Sequence, residues 1–220
     1  MAQIAEDLFL LLLDNAAAQP ALERDRRERL LAGAVLLDLA HACRIRPAAP
    51  GDAVESGRLV ALAGGAPLYH VTGPAFELLT RKPLRPKVAL SKLGRPSQDR
   101  VVAQLEQQSQ IRRVQLTPKR SAAQYAWPLI NRHRVGAARA ALLSALFDRT
   151  PPTPATAAIV TLLHAVDGLG ALLSLNDRGW RWVHTRANEI SSGSWVDESA
   201  TALPEVNLAV TASAVRSALL

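Results

Sequence analysis

The densest apolar pattern in the chain lies in Glu28–Arg46, read ERLLAGAVLLDLAHACRIR. From Leu30 to Ala40 every side of a helical wheel is apolar or small, except at Asp38. A surface helix keeps a polar face, so this pattern predicts a helix at the middle of a bundle, covered by other helices. The run falls short of the roughly 20 apolar residues that span a bilayer. Its single charge must then be solved inside the fold. Asp38 is expected to be buried and paired, either with Arg100 or with free backbone N–H groups, because an unpaired buried carboxylate costs several kcal/mol.

The other elements follow from the same patterning. Ile4–Asn15 (IAEDLFLLLLDN) predicts a first helix, and the mixed-charge run Glu23–Arg29 predicts a solvated first turn leading into the central one. That helix is expected to end near Arg44–Pro47, since the residue before proline avoids the helical region. Gly57–Leu62 with Gly64-Gly65 predicts a short strand and turn. Gly73-Pro74 opens a helix over Ala75–Arg81, and Arg81–Lys87 is a basic loop broken by prolines. Val88–Leu93 predicts a short helix, Gly94–Ser97 a turn, and Gln98–Gln110 an amphipathic helix capped by Ser97. Ile111–Leu116, a basic tip at Thr117–Arg120, and Gln124–Pro128 make a β-hairpin pattern. Helices are predicted at Val135–Phe147, at Thr156–Leu175 with a kink near Gly168 and Gly170, at Arg181–Ile190, and at Pro204–Leu220. Asp148–Pro154 is a linker, Asn176–Gly179 a break, and Ser191–Ser194 a turn. No internal repeat or long hinge divides the chain, so residues 1–220 are read as one domain that is mostly α, built around a buried central helix with a protruding β-hairpin.

Composition sharpens this in one respect. The chain is 49% hydrophobic with only 4% aromatics, so its core is built of Leu, Ala and Val, which suits packed helices. Charge changes the picture more. Lys plus Arg number 26 against 19 acidic residues, a net +7. That excess points to an anionic partner: nucleic acid, an anionic membrane surface or a phosphorylated ligand. The single cysteine, Cys43, excludes an internal disulfide and a cysteine metal site. Acidic Glu6-Asp7 precedes Leu8–Leu13 where a secretory leader would be basic, so an intracellular soluble protein is expected.

Candidate chemistry is sparse. None of the five histidines has a metal-ligand neighbour except His164, with Asp167 three residues on, and that pair reads as a structural hydrogen bond. No phosphate-cradling glycine loop, nucleophile elbow or zinc-binding helix occurs. No enzyme, cofactor or metal site is expected. The remaining signal is basic: Arg24–Arg29; Arg81–Lys87; and Arg95 with Arg100, Arg112, Arg113, Lys119 and Arg120. Gathered on one face, such cations hold a protein on an anionic leaflet at about 1 kcal/mol each. A winged helix is the alternative, made of Gln98–Gln110 and the hairpin. Against nucleic acid, the outer face of that helix carries Gln104, Glu106, Gln107 and Gln108 instead of phosphate-binding cations. A protein-interaction adaptor without a lipid site is the third reading.

The order of several stretches carries a resemblance: AEDLFLLLLD, then RLLAGAVLLDLA, RVVAQLEQQSQIRRV, the hairpin reaching Trp127-Pro128-Leu129, PPTPATAAIVTLLHAVDGL and NEISSGSW. In this order the chain resembles the Golgi phosphoprotein 3 family, in its bacterial branch, over nearly its whole length. The resemblance implies a single helical domain with a protruding hairpin, and peripheral binding to the phosphatidylinositol 4-phosphate headgroup. It also implies cargo-adaptor roles with protein partners and self-association through the hairpin. In eukaryotic members a tryptophan and an arginine at the entrance to the central helix, and two arginines three residues apart, form the lipid pocket. Those positions carry Glu23, Ala32, Arg95 and Gln98 here. A headgroup held by charge on the cytoplasmic face of a membrane is therefore expected, with Arg95 first among its ligands, then Arg24, Arg27 and Arg81.

Overall fold

The computed structural model describes residues 4–64, 68–116, 125–196 and 202–220. Among them are eight α-helices and two short antiparallel β-ribbons. Helix α2 (Arg24–His41) sits at the centre. Helices α1 (Ile4–Leu13), α4 (Pro86–Gln107), α6 (Pro154–Ala165) and α8 (Leu203–Leu219) pack around it. Helix α5 (His133–Phe147) closes over α1 and α6, and α7 (Asp177–Ser191) lies on α5 and α6. Between Leu30 and Ala40 every residue of α2 but Asp38 is buried, as the all-apolar pattern demands. Gly33 lets two neighbours close in: a Cβ there would lie 3.0 Å from Leu162 Cδ2 of α6 and 3.2 Å from Val215 Cγ1 of α8.

Helix α1 shares the centre, and its apolar run is almost as dense as that of α2. All ten of its residues are buried, Glu6 and Asp7 included. Their charges are met by Arg134 of α5, whose Nη1 donates to Glu6 Oε2 at 2.6 Å and whose Nε donates to Asp7 Oδ1 at 2.6 Å. Asp38 meets backbone, not Arg100. Its carboxylate accepts from the N–H of Ile4 at 2.7 Å and of Ala5 at 3.1 Å, satisfying amide groups at the start of α1 that no helical carbonyl can reach. Arg100 Nη1 donates instead to the Pro96 carbonyl within α4.

Four boundaries differ from the patterned expectation. Helix α2 stops at His41, and Cys43 turns the chain with φ of +51°. The next residues, expected as the helix end, become β1 (Ile45–Pro47), antiparallel to β2 (Leu59–Ala61) with Ile45 opposite Ala61. Helix α3 (Gly73–Arg81) begins where Gly73-Pro74 places it. The expected Gly94–Ser97 turn is absent: α4 is one continuous helix of 22 residues with Pro96 inside it, and Ser97 is buried instead of capping. Packing explains the override. Gly94 lies against α2, where a Cβ would be 3.6 Å from Glu28 Cβ, and Leu90, Leu93, Val101, Val102 and Leu105 are buried. Pro96 faces solvent, so the Lys92 carbonyl that loses its helical donor is open to water. Helix α6 ends at Ala165 instead of kinking, with Asp167 at φ +51° and a 3₁₀ turn at Leu169–Ala171. Helix α7 starts earlier, because Asn176 Oδ1 caps it by accepting the Gly179 N–H at 2.9 Å.

The expected hairpin is present as β3 (Val114–Gln115) paired with β4 (Tyr125–Ala126), and Ile111 bridges Leu129 below it. Its basic tip, with Lys119 and Arg120, lies outside the described residues, as does Gly65. Proline in a helix interior costs about 3 kcal/mol against alanine, while the stiffer unfolded chain returns up to about 1 kcal/mol. Pro96→Ala is therefore expected to stabilise the protein by about 1–2 kcal/mol in urea unfolding. An unchanged midpoint would mean that the proline geometry is matched by packing on α2.

Candidate anion-binding surface

The crossing of α2 and α4 is the place where predicted site residues meet. The first turns of α2 carry Arg24, Arg27 and Glu28, and the middle of α4 carries Arg95, Gln98, Asp99 and Arg100. Gly94 allows the two helices to approach closely there. Arg24 Nε donates to Glu28 Oε1 at 2.9 Å, and its guanidinium also feels the Asp99 carboxylate across the crossing. Arg95 is loosely paired with Asp99, at 3.8 Å, and its side chain is 69% exposed. Beside it, Arg95, Pro96, Asp99, Arg100 and Ala103 of α4, with His70 from the loop before α3, line an open depression of about 470 Å³.

Arg27 and Arg81 do not join this cup as free cations. Arg27 turns inward: its Nε donates to Gln98 Oε1 at 2.8 Å, and Nη1 donates to the carbonyls of Leu22 at 2.8 Å and Pro20 at 3.4 Å. Burial pulls its pKa below the ordinary arginine value. It ties the loop between α1 and α2 to α4. Arg81 is exposed at the carboxyl end of α3, one helix length from the His70 loop. The basic loop after it is partly neutralised, since Arg85 pairs with Glu55, which also holds Arg58 at 2.7 Å. Within the first turns of α2, Arg29 donates to the Ala218 and Leu219 carbonyls at the end of α8, so the mixed-charge run is more than a solvated turn.

His70 is the addition that the structure makes, and Arg100, already grouped with Arg95 by sequence, joins it in the depression. His70 arrives from a loop that no local pattern connects to α4. Of the four positions that the resemblance assigns to a lipid pocket, Ala32 is fully buried, Glu23 caps nothing with its side chain, and Gln98 is occupied by Arg27. Arg95 is the arginine among them.

Elsewhere, the hairpin's Arg113 is spent on its own support, paired with Glu106 at 3.2 Å and stacked over Tyr125. The His164–Asp167 bond runs through the backbone, the Asp167 N–H donating to the His164 carbonyl at 3.2 Å, while the His164 Nδ1 has no partner among the described residues and its ring lies 5.7 Å from that of His184. Burial lowers the His164 pKa. Among the described residues, no three His, Cys, Asp or Glu side chains are placed to share a metal ion, and no helix is long and apolar enough to cross a membrane.

In comparison with known protein families, the family model for Golgi phosphoprotein 3 (GPP34) matches residues 4–206 of the 220. No curated protein matches the chain.

Proposed function

We infer that this chain, which belongs to the Golgi phosphoprotein 3 family, is a non-enzymatic peripheral membrane protein that docks on anionic lipid headgroups through the α2–α4 crossing. The observation that carries the reading is the open cup where Arg95, Arg100 and His70 converge, with Arg24 alongside. Arginine forks suit phosphate oxygens in paired hydrogen bonds. At about 1 kcal/mol per cation near an anionic surface, Arg24, Arg95 and Arg100 supply about 3 kcal/mol, a reversible attachment that salt weakens. Recognition of phosphatidylinositol 4-phosphate in particular has less support. With Glu23, Ala32 and Gln98 at the family's pocket positions, phosphate is met by surface charge and not by a closed cup. The docking side would be the cytoplasmic face of the membrane.

Flotation with phosphatidylcholine vesicles, with and without phosphatidylglycerol, tests this. The chain is expected to float only with the anionic lipid, more at low than at moderate salt. Arg95→Glu with Arg100→Glu is expected to abolish it. Phosphatidylinositol 4-phosphate at equal charge is expected to do no better than phosphatidylglycerol. No flotation at low salt would overturn the reading and leave a protein-interaction adaptor as the role.

A further inference from the structure

A second basic surface lies on α7, away from the crossing. Helix α4 packs on α2, whereas α7 packs on α6 and α5, so the two surfaces occupy different sides of the bundle. On α7, Arg178, Trp182 and Thr185 fall four and three residues apart and form a stripe, with Arg181 beside it. Arg149, from the turn between α5 and α6, completes a cavity of about 370 Å³ lined by these five residues. Trp182 is 48% exposed, and the Arg149 guanidinium lies 5.6 Å from its ring centroid.

Charge and backbone geometry together shape this face. Arg149 donates to Glu189 Oε2 at 2.7 Å, and Arg186 donates to the same oxygen at 3.1 Å, so one carboxylate serves two guanidiniums. Arg178 and Arg181 have no side-chain partner among the described residues. Asp177 shares the first turn of α7 with them but forms no ion pair with either, so three guanidiniums border the cavity with Glu189 as their one paired carboxylate. Arg149 has φ of +55°, the left-handed region that glycine would fill at this helix end. Cys43, Ser109 and Asp167 take the same conformation just past the ends of α2, α4 and α6, so it serves as a helix stop. It delivers the guanidinium to the indole.

We propose that Arg149, Arg178, Arg181 and Trp182 form a second anion site, one that takes a phosphorylated compound whose organic part lies on the indole. The forks bind the phosphate oxygens, and the open side of the ring takes a base, a sugar face or the interfacial part of a lipid. A cavity of about 370 Å³ lined by five residues suits a headgroup or a small organic phosphate.

The full-length chain is titrated with pyrophosphate and adenosine diphosphate by calorimetry, and floated with the same vesicles as above. Saturable binding of either phosphate, weakened at least about tenfold (about 1.4 kcal/mol) by Arg178→Ala with Arg181→Ala and unchanged by Arg95→Glu with Arg100→Glu, supports a soluble phosphate as the ligand. Vesicle binding that falls with the α7 pair and survives the α4 pair supports a lipid headgroup. A further loss of adenosine diphosphate binding in Trp182→Ala, beyond that of pyrophosphate, assigns the base to the indole. Absence of both kinds of binding, or binding indifferent to the α7 pair, overturns the site. Phosphate titration in solution does not involve the α4 pair, so it tests the α7 site whatever flotation shows, while flotation that survives the α4 pair moves the membrane contact from the α2–α4 crossing to α7.

Discussion

Arg134→Met is expected to destabilise the protein by about 3–5 kcal/mol, the cost of removing one partner from a buried charge cluster. Glu6 and Asp7 have side chains only 2% and 10% exposed, and the same guanidinium holds both. Methionine fills the volume of the stem but leaves two carboxylates beside each other, with Asp38 near them. Acid should relieve the defect. Burial already pushes Asp7 above the ordinary carboxylate value, and Arg134 pulls it back. Without that pull, folded carboxylates titrate higher still, while unfolded ones titrate near 4. A raised folded pKa means that the native state holds protons the unfolded state has lost, so stability falls as pH rises through the gap and recovers as it drops. Urea unfolding at pH 5 and pH 7 checks this: the deficit of the variant should be smaller at pH 5. Equal deficits at both would show that Arg134 contributes packing and not charge. Arg134→Lys should lie between, because a single ammonium cannot fork to both oxygens.

What could be read ahead of the structure was whatever local periodicity encodes. The body of α2 is legible because an all-apolar wheel has one stable solution, the centre of a bundle. Helix α1 carries almost the same signal, but nothing local shows what meets the charges of Glu6 and Asp7. Their partner lies 128 residues from Glu6, in a separate helix. Pro96 shows the converse. Gly-Arg-Pro-Ser is a sound turn signal by itself, and burial of Leu93, Val101 and Leu105 on α2 overrides it. The same limits act on the sites. Arg95 and Arg24 are visible as basic residues near the crossing, but the inward turn of Arg27 depends on Gln98, 71 positions away. The α7 surface was hidden by one boundary. Reading Asn176–Gly179 as a break puts Arg178 in a loop, whereas the Asn176 cap brings it into helical register with Trp182.

Asp38 gives the second large effect, and its sign is opposite to that of an ordinary salt-bridged carboxylate. The two N–H donors of α1 favour its charged form, but burial outweighs them, and Glu6 and Asp7 add repulsion, so its pKa is raised to about 7. Between about pH 4, where the unfolded group titrates, and pH 7, the native state alone keeps the proton. Stability from this group is therefore full below that window and declines as pH rises through it, at about 1.4 kcal/mol per pH unit. Asp38→Asn removes the titration and keeps one oxygen for the Ile4 N–H. Stability of the native chain minus that of Asp38→Asn is expected to drop by about 3 kcal/mol from pH 5 to pH 8. Asp38→Ala removes both acceptors and should cost about 2 kcal/mol already at pH 5, as a lost cap with orphaned amides does. Denaturant unfolding of the three chains across this range separates the roles. Parallel curves for the native chain and Asp38→Asn would mean that the carboxylate is charged throughout and that the two amides of α1 outweigh its burial.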